Sequence, residues 1–317
     1  MVKMAAIDLG SNSIRLLVTE TDNLRLKPLL KDLRTTRLGT GVSKNGVLSR
    51  KAMEKTLEAV RDFKEKAISM GAGDIIVIAT SAVRDAANRE GFIGRIRELG
   101  LEVKTLGGEE EAELGFLGAV SGLKDINSGI FLVDIGGRST ELVLGKKAGV
   151  ERSKSLELGA VRLTESFAED DPVNMAELER IEHSVMHKII QDTKDIAIGD
   201  AEMIGIGGTI TTLAAIAQGM EEYDPPRIHN YILNRTVIED IFKELLRLNI
   251  EQRQKIPGLQ PERADIIVAG TIILKSLMEH WGFERLTVSE WDNLEGAIYQ
   301  NLISVHENSC TIPTEKT

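Results

Sequence analysis

The chain has 317 residues, of which 42% are hydrophobic and 28% charged, and its net charge is −10. At about 100–200 residues per domain this length fits two domains, and the acidic balance excludes a general DNA or RNA binder, which would need a basic face. A single cysteine, Cys310, excludes an internal disulfide framework and a cysteine-only zinc site. No apolar run reaches the roughly 18–20 residues that span a bilayer, and Met1–Gly10 lacks the layout of a signal peptide. A cytoplasmic protein with no membrane association is expected.

Read in chain order, Val2–Ile7 is an apolar strand that ends at Asp8, turns through Gly10-Ser11-Asn12-Ser13 and continues as a second strand, Ile14–Thr19. A third strand falls around Leu24–Leu30. Ser49 is placed to cap a helix running to about Met70, with Met53, Leu57, Val60, Phe63 and Ala67 at helical spacing. Asp74–Ala79 reads as a buried strand, followed by helices near Arg89–Leu99 and Glu110–Val120. The opening pattern then returns. Gly129–Val133 ends at Asp134, turns through Gly136-Gly137-Arg138-Ser139-Thr140 and leaves as Glu141–Leu144. Further on, the spacing predicts a helix over Ala176–Ile198, a strand over Glu202–Ile206, helices over Ile210–Ala217, Arg235–Leu248 and Pro261–His280, a strand over Arg285–Val288 and a last helix over Leu294–Val305. The duplicated strand–Asp–turn–strand unit implies two domains of one design, 1–124 and 125–306, with a polar tail over 307–317.

Four segments can carry chemistry. Turns rich in Gly and Ser expose successive backbone N–H groups that bind phosphate oxygens, and a carboxylate at the strand end can hold a divalent metal. Asp8 and Asp134 occupy that position in the two turns, and facing turns could hold consecutive phosphates; each turn alone is also a common hairpin. Gly205-Ile206-Gly207-Gly208-Thr209 leads a strand into a helix whose N-terminal amides attract anions, though such glycines also serve close packing. Thr80, Ser81 and Arg84 follow a buried strand and offer hydroxyls and a guanidinium fork, or a cap and a surface arginine. Glu109-Glu110-Glu111 opens a helix, where acids suit the dipole, while one of them could project inward to deprotonate water. Glu141 alternates with apolar neighbours and is a second acid for the metal or water.

Taken in order, Ile7–Leu16, Ala79–Asn88, Gly108–Ala112, Asp134–Leu142, Gly205–Thr209, Pro257–Leu259 and Arg263–Asp265 resemble the exopolyphosphatase / guanosine-pentaphosphate phosphohydrolase family of the actin-like superfamily, over nearly the whole chain. The resemblance implies an α/β fold of two actin-like (ribonuclease H-like) domains around an interdomain cleft, with the final helix packed back on the first domain. It implies Mg²⁺ or another divalent metal, held by Asp8, Asp134 and Glu141. Glu110 stands at the family's water-activating glutamate, with Glu109 and Glu111 as the alternatives, and Glu141 assists. Asn12, Ser13, Arg84, Gly137, Ser139 and Thr140 stand at phosphate-contacting positions, Gly208 and Thr209 lie at the anion-attracting helix start, and Arg138 could add a phosphate contact, obstruct its turn or point to solvent. The implied activity is removal of terminal phosphate from inorganic polyphosphate. The alternatives are 5′-phosphate removal from guanosine pentaphosphate, or a phosphate or nucleotide sensor without turnover. Homodimerisation is a base-rate expectation only. Two departures stand out: Arg138 replaces a small residue of the second turn, and Ser289–Gly296 lacks the arginine of the family's C-terminal pattern.

Overall fold

The computed structural model describes residues 2–22, 25–123, 128–167 and 171–310. Its first sheet contains β1 (Val2–Leu9), β2 (Ser13–Asp22), β3 (Arg25–Thr35), β4 (Asp74–Ala79) and β5 (Val103–Thr105) in the order β3-β2-β1-β4-β5. The second contains β6 (Ile130–Ile135), β7 (Thr140–Lys146), β8 (Gly149–Leu156), β9 (Glu202–Ile206), β10 (Ile232–Asn234) and β11 (Arg285–Val288) in the order β10-β11-β9-β6-β7-β8. Each sheet starts as an antiparallel meander and then adds parallel strands through helical crossovers. Apart from the edge strand β10 the two orders are the same, so the duplicated sequence unit is a duplicated sheet.

The local signals explain most elements. Ser49 Oγ accepts a hydrogen bond from Ala52 N at 3.2 Å and starts the Arg50–Ser69 helix. That helix buries Leu57, Val60, Phe63 and Ala67 against Ile7, Leu9 and Ile14 of the first sheet. Two other helices trade sheets. The Gly108–Gly122 helix packs Ala112, Phe116 and Ala119 on Leu132, Val143 and Ile204 of the second sheet. The final Asn293–Cys310 helix packs Leu294, Ala297 and Ile298 under Met4, Ala6 and Leu17 of the first. They cross with backbones in contact: a Cβ at Gly118 would lie 1.9 Å from the Asp292 carbonyl oxygen, and one at Gly296 2.0 Å from that of Leu114.

Several boundaries differ from the sequence reading. The helix expected over Ala176–Ile198 spans Met175–Asp192, because Thr193 leaves helical geometry and its N–H and hydroxyl both bond to the Ile189 carbonyl, at 3.0 and 2.6 Å. Pro261–His280 divides into a 3₁₀ turn, Pro261–Arg263, and a helix, Ile267–Trp281. Strands β5, β8 and β10 lack the apolar alternation that would have revealed them. The last helix runs to Cys310, into the expected tail, and residues 311–317 lie outside the described residues. The boundary expected at 124/125 lies outside them too, since 124–127 are not described. No helix among the described residues is long and apolar enough to cross a membrane.

Candidate active site

β1 and β6 carry their aspartates at matching register positions. Asp8 stands opposite Arg15 on β2, and Asp134 opposite Glu141 on β7. Both turns close in the same way, with Gly10 N bonded to Ser13 O at 3.1 Å and Gly136 N to Ser139 O at 3.0 Å. The turns face each other at contact distance. A Cβ at Gly137 would lie 3.0 Å from Ser11 Cβ and 3.6 Å from Asn12 N, so the second turn reaches the first only because no side chain intervenes. Behind them Gly207, at φ +86°, turns β9 into the Gly208–Ala217 helix; a Cβ there would meet Asp134 Oδ1 at 2.3 Å.

A cavity of about 470 Å³ opens between the sheets at these strand ends. Both turns line it, together with Thr80, Ser81, Gly207, Gly208, Thr209, Asp8, Arg15, Lys31, Glu111, Asp134, Tyr223, Arg263, Glu290 and Asp292. Three buried acids crowd one side. Burial and the Glu141 charge push Asp134 well above the usual carboxylate range, and the same two causes push Glu111 well above it, against the pull of Arg84. Burial raises Glu141 to about 7. On the other side Arg15 donates to Asp8 Oδ2 through Nη2 at 2.5 Å and to Asp292 through Nη1. Burial raises Asp8 despite that arginine, whereas Arg15 and Lys31 hold Asp292 below its ordinary value against its burial.

The expected site residues fall into two groups. Asp8, Asn12, Ser13, Asp134, Gly137, Gly208 and Thr209 share the cavity wall. The others lie outside it, each for a physical reason. Glu110 is the third residue of its helix: its Oε2 accepts from Gly107 N at 2.8 Å, Lys104 approaches Oε1 at 3.3 Å, and half of the side chain is exposed. Glu109 is exposed as well. Glu111, one position on, turns inward and is 7% exposed, with Oε2 2.9 Å from Arg84 Nη1. Arg84 therefore stands behind the wall, holding Glu111 and the Leu106 carbonyl. Arg138 leaves its turn, is buried, and donates to Ser43 Oγ at 2.7 Å and Asp85 Oδ2 at 3.3 Å, binding the second half of the chain to the first. Thr140 Oγ1 bonds the Leu158 carbonyl at 2.5 Å, and Ser139 is buried in its turn. Glu141 lies behind Asp134, with Oε1 accepting from Ser155 Oγ at 2.8 Å.

Residue-by-residue reading missed Arg15, Lys31, Tyr223, Glu290 and Asp292 as cavity residues. For Arg15 a signal existed: a tight turn at Gly10–Asn12 forces residue 15 opposite residue 8 in an antiparallel pair. For the others nothing local marks them, since the Arg15–Asp292 and Lys31–Glu295 pairs join β2 and β3 to the far end of the chain.

Paired amide turns, a helix N-terminus and buried acids in one cleft define a phosphate-handling enzyme on the two-domain actin-like plan. The model of the Ppx/GppA phosphatase family matches residues 17–305, and the chain belongs to that family. Exopolyphosphatase 2 of Mycobacterium tuberculosis is 34% identical over 311 residues, 93% of this chain and 97% of its own length. The bifunctional 3-dehydroquinate synthase/phosphatase of Fusobacterium nucleatum is 36% identical over 309 residues, 94% of this chain, which spans 46% of that protein. The crystal structure of the Aquifex aeolicus Ppx/GppA family member matches with a TM-score of 0.82 at 31% identity, covering 96% of this chain and 98% of that one.

Proposed function

We propose that the protein is an exopolyphosphatase, releasing orthophosphate from the end of inorganic polyphosphate. The observation that carries this reading is the contact between the two amide turns, with Glu111 and Asp134 buried in the cavity they share. The turn amides and the Gly208–Thr209 amides bind phosphate oxygens and fix the terminal phosphorus. Water attacks that phosphorus, the bridging P–O bond breaks, and the shortened chain leaves with its electron pair. Glu111 takes the proton of the attacking water. Its burial makes it a stronger base than a surface carboxylate, and Arg84 fixes its orientation.

A divalent cation fits this site. Asp8 Oδ1 and Glu141 Oε2 are buried without a hydrogen-bond partner, and Glu111, Asp134 and Glu141 repel one another. Among the described residues no group of three or more acids, histidines or cysteines is placed to hold a metal ion by itself, so a cation here would share its ligands with substrate and water. That donor set suits Mg²⁺, which commonly keeps water and shares one or two carboxylates with substrate phosphates. Asp134 and Asp8, which both line the cavity, would hold it, and bound there it would neutralise phosphate charge. Removal of the 5′ phosphate of guanosine pentaphosphate is the second reading, favoured by the partly exposed Tyr223 ring in the cavity wall, on which a base could stack.

Phosphate release with Mg²⁺, compared between polyphosphate, guanosine pentaphosphate and ATP, tests the proposal. Polyphosphate should be turned over with the highest kcat/KM. Preference for guanosine pentaphosphate would transfer the conclusion to the second reading, and binding without turnover of any would make the protein a sensor.

A further inference from the structure

The cavity has an unusual charge balance for a site that takes a polyanion. Six carboxylates line it: Asp8, Asp32, Glu111, Asp134, Glu290 and Asp292. Against them stand Arg15, Lys31 and Arg263. Two of these cations are already held by the protein's own acids. Arg15 lies between Asp8 and Asp292. Lys31 Nζ is 2.8 Å from Glu295 Oε1, 3.8 Å from Glu290 Oε2 and 2.6 Å from the Glu290 carbonyl oxygen. Both acids are fixed in turn: Glu290 accepts from the Tyr223 hydroxyl, and Asp292 Oδ1 caps the last helix by accepting from Leu294 N at 3.1 Å.

Arg263 is different. Its Nε donates to Gln260 Oε1 at 2.8 Å, and among the described residues no carboxylate lies within salt-bridge distance of its guanidinium. That guanidinium lies over the helix N-terminus, where a Cβ at Gly208 would be 1.6 Å from Nη1. Among the described residues' own groups, the uncommitted positive potential of the cleft is thus confined to Arg263, the adjacent helix amides and the two turns, to which a bound divalent cation would add. The same wall carries Glu290 and Asp292, each beside a cation that is already neutralised.

We infer that Glu290 and Asp292 are specificity-determining residues that limit the cleft to short oligophosphates, with Arg263 supplying the guanidinium that receives them. This rests on the phosphohydrolase reading above. A pair of conservative variants isolates the charges. Glu290→Gln keeps an acceptor for Tyr223, and Asp292→Asn keeps a helix cap.

The test measures Mg²⁺-dependent phosphate release from tripolyphosphate, a medium-length chain and a long chain, at equal concentrations of chain ends. Calorimetric binding of the same three to the full chain runs alongside. In the wild type, kcat/KM per end should fall as the chain lengthens. Each variant should raise the long-chain value by about tenfold, the order expected for one unit charge facing another at about 10 Å and an effective dielectric constant of about 20. Tripolyphosphate should respond less, and Arg263→Met should lose binding of all three. Hydrolysis with a flat or rising length profile in the wild type, or variants that leave the profile unaltered, would overturn the inference while leaving the phosphohydrolase reading in place. If nothing is hydrolysed, that reading fails instead, and the calorimetric length profile still decides the inference: tighter binding of the longer chains refutes it.

Discussion

Glu111→Gln removes a proton acceptor while keeping the volume of the side chain and an oxygen for Arg84, 2.9 Å away. Loss of a positioned general base costs about 10²–10⁴-fold in rate, so kcat for phosphate release should fall into that range with KM changed little. Glu110→Gln is the matched control. Glu110 serves as a helix cap on Gly107 and a half-exposed partner of Lys104. Glutamine is an accepted residue at that capping position, and an exposed ion pair contributes about 1 kcal/mol or less, so this variant should keep wild-type kcat with a marginally lower stability. The assay is initial-rate phosphate release at saturating polyphosphate and Mg²⁺, with the urea unfolding midpoint of each variant as a check on folding. The opposite pattern, a folded Glu110→Gln that is inactive beside an active Glu111→Gln, would refute the assignment, because it would mean that side-chain burial does not report which glutamate meets the water.

Two further predictions concern stability. Burial raises Glu141 to about 7 from an ordinary 4.5, so the folded state holds that proton more tightly than the unfolded one, and stability falls as pH rises across the window between those values. In the presence of a chelator, Glu141→Gln should therefore melt above the wild type at pH 8 by more than at pH 5; an equal difference at both pH values would show that the carboxyl is not perturbed. Gly296→Ala should lower the unfolding free energy by about 1–3 kcal/mol or more, as overpacking does, since its methyl group would lie 2.0 Å from the Leu114 carbonyl oxygen at the helix crossing. A wild-type urea midpoint for this variant would show that the two helices can separate without cost.

Glu110 and Glu111 show where legibility ends. Three consecutive acids at a helix start announce a capped, dipole-matched terminus, and all three satisfy that description equally. Successive residues project about 100° apart around a helix, so which glutamate is buried depends on the face that packs, and that face is set by Leu132, Val143 and Ile204 of a sheet formed later in the chain. Arg138 makes the same point. Its position beside Gly137 suggested a phosphate contact, but the side chain is turned away by Ser43 and Asp85, partners from the other half of the chain.

By itself the sequence determined what depends on short range: the two strand–Asp–turn–strand units, the Ser49-capped helix, the strand-to-helix turn at Gly207, and through the ordered motifs the family. These follow from residue periodicity, turn chemistry and caps, which act over a few residues. Only the tertiary structure decided which acids share the cavity, which cations in it remain uncommitted, and that Glu290 and Asp292 close on Lys31 and Arg15. The last of these rests on contacts between residues more than 250 positions apart, and all of them on electrostatics that depends on distance in space and burial, which no local pattern encodes.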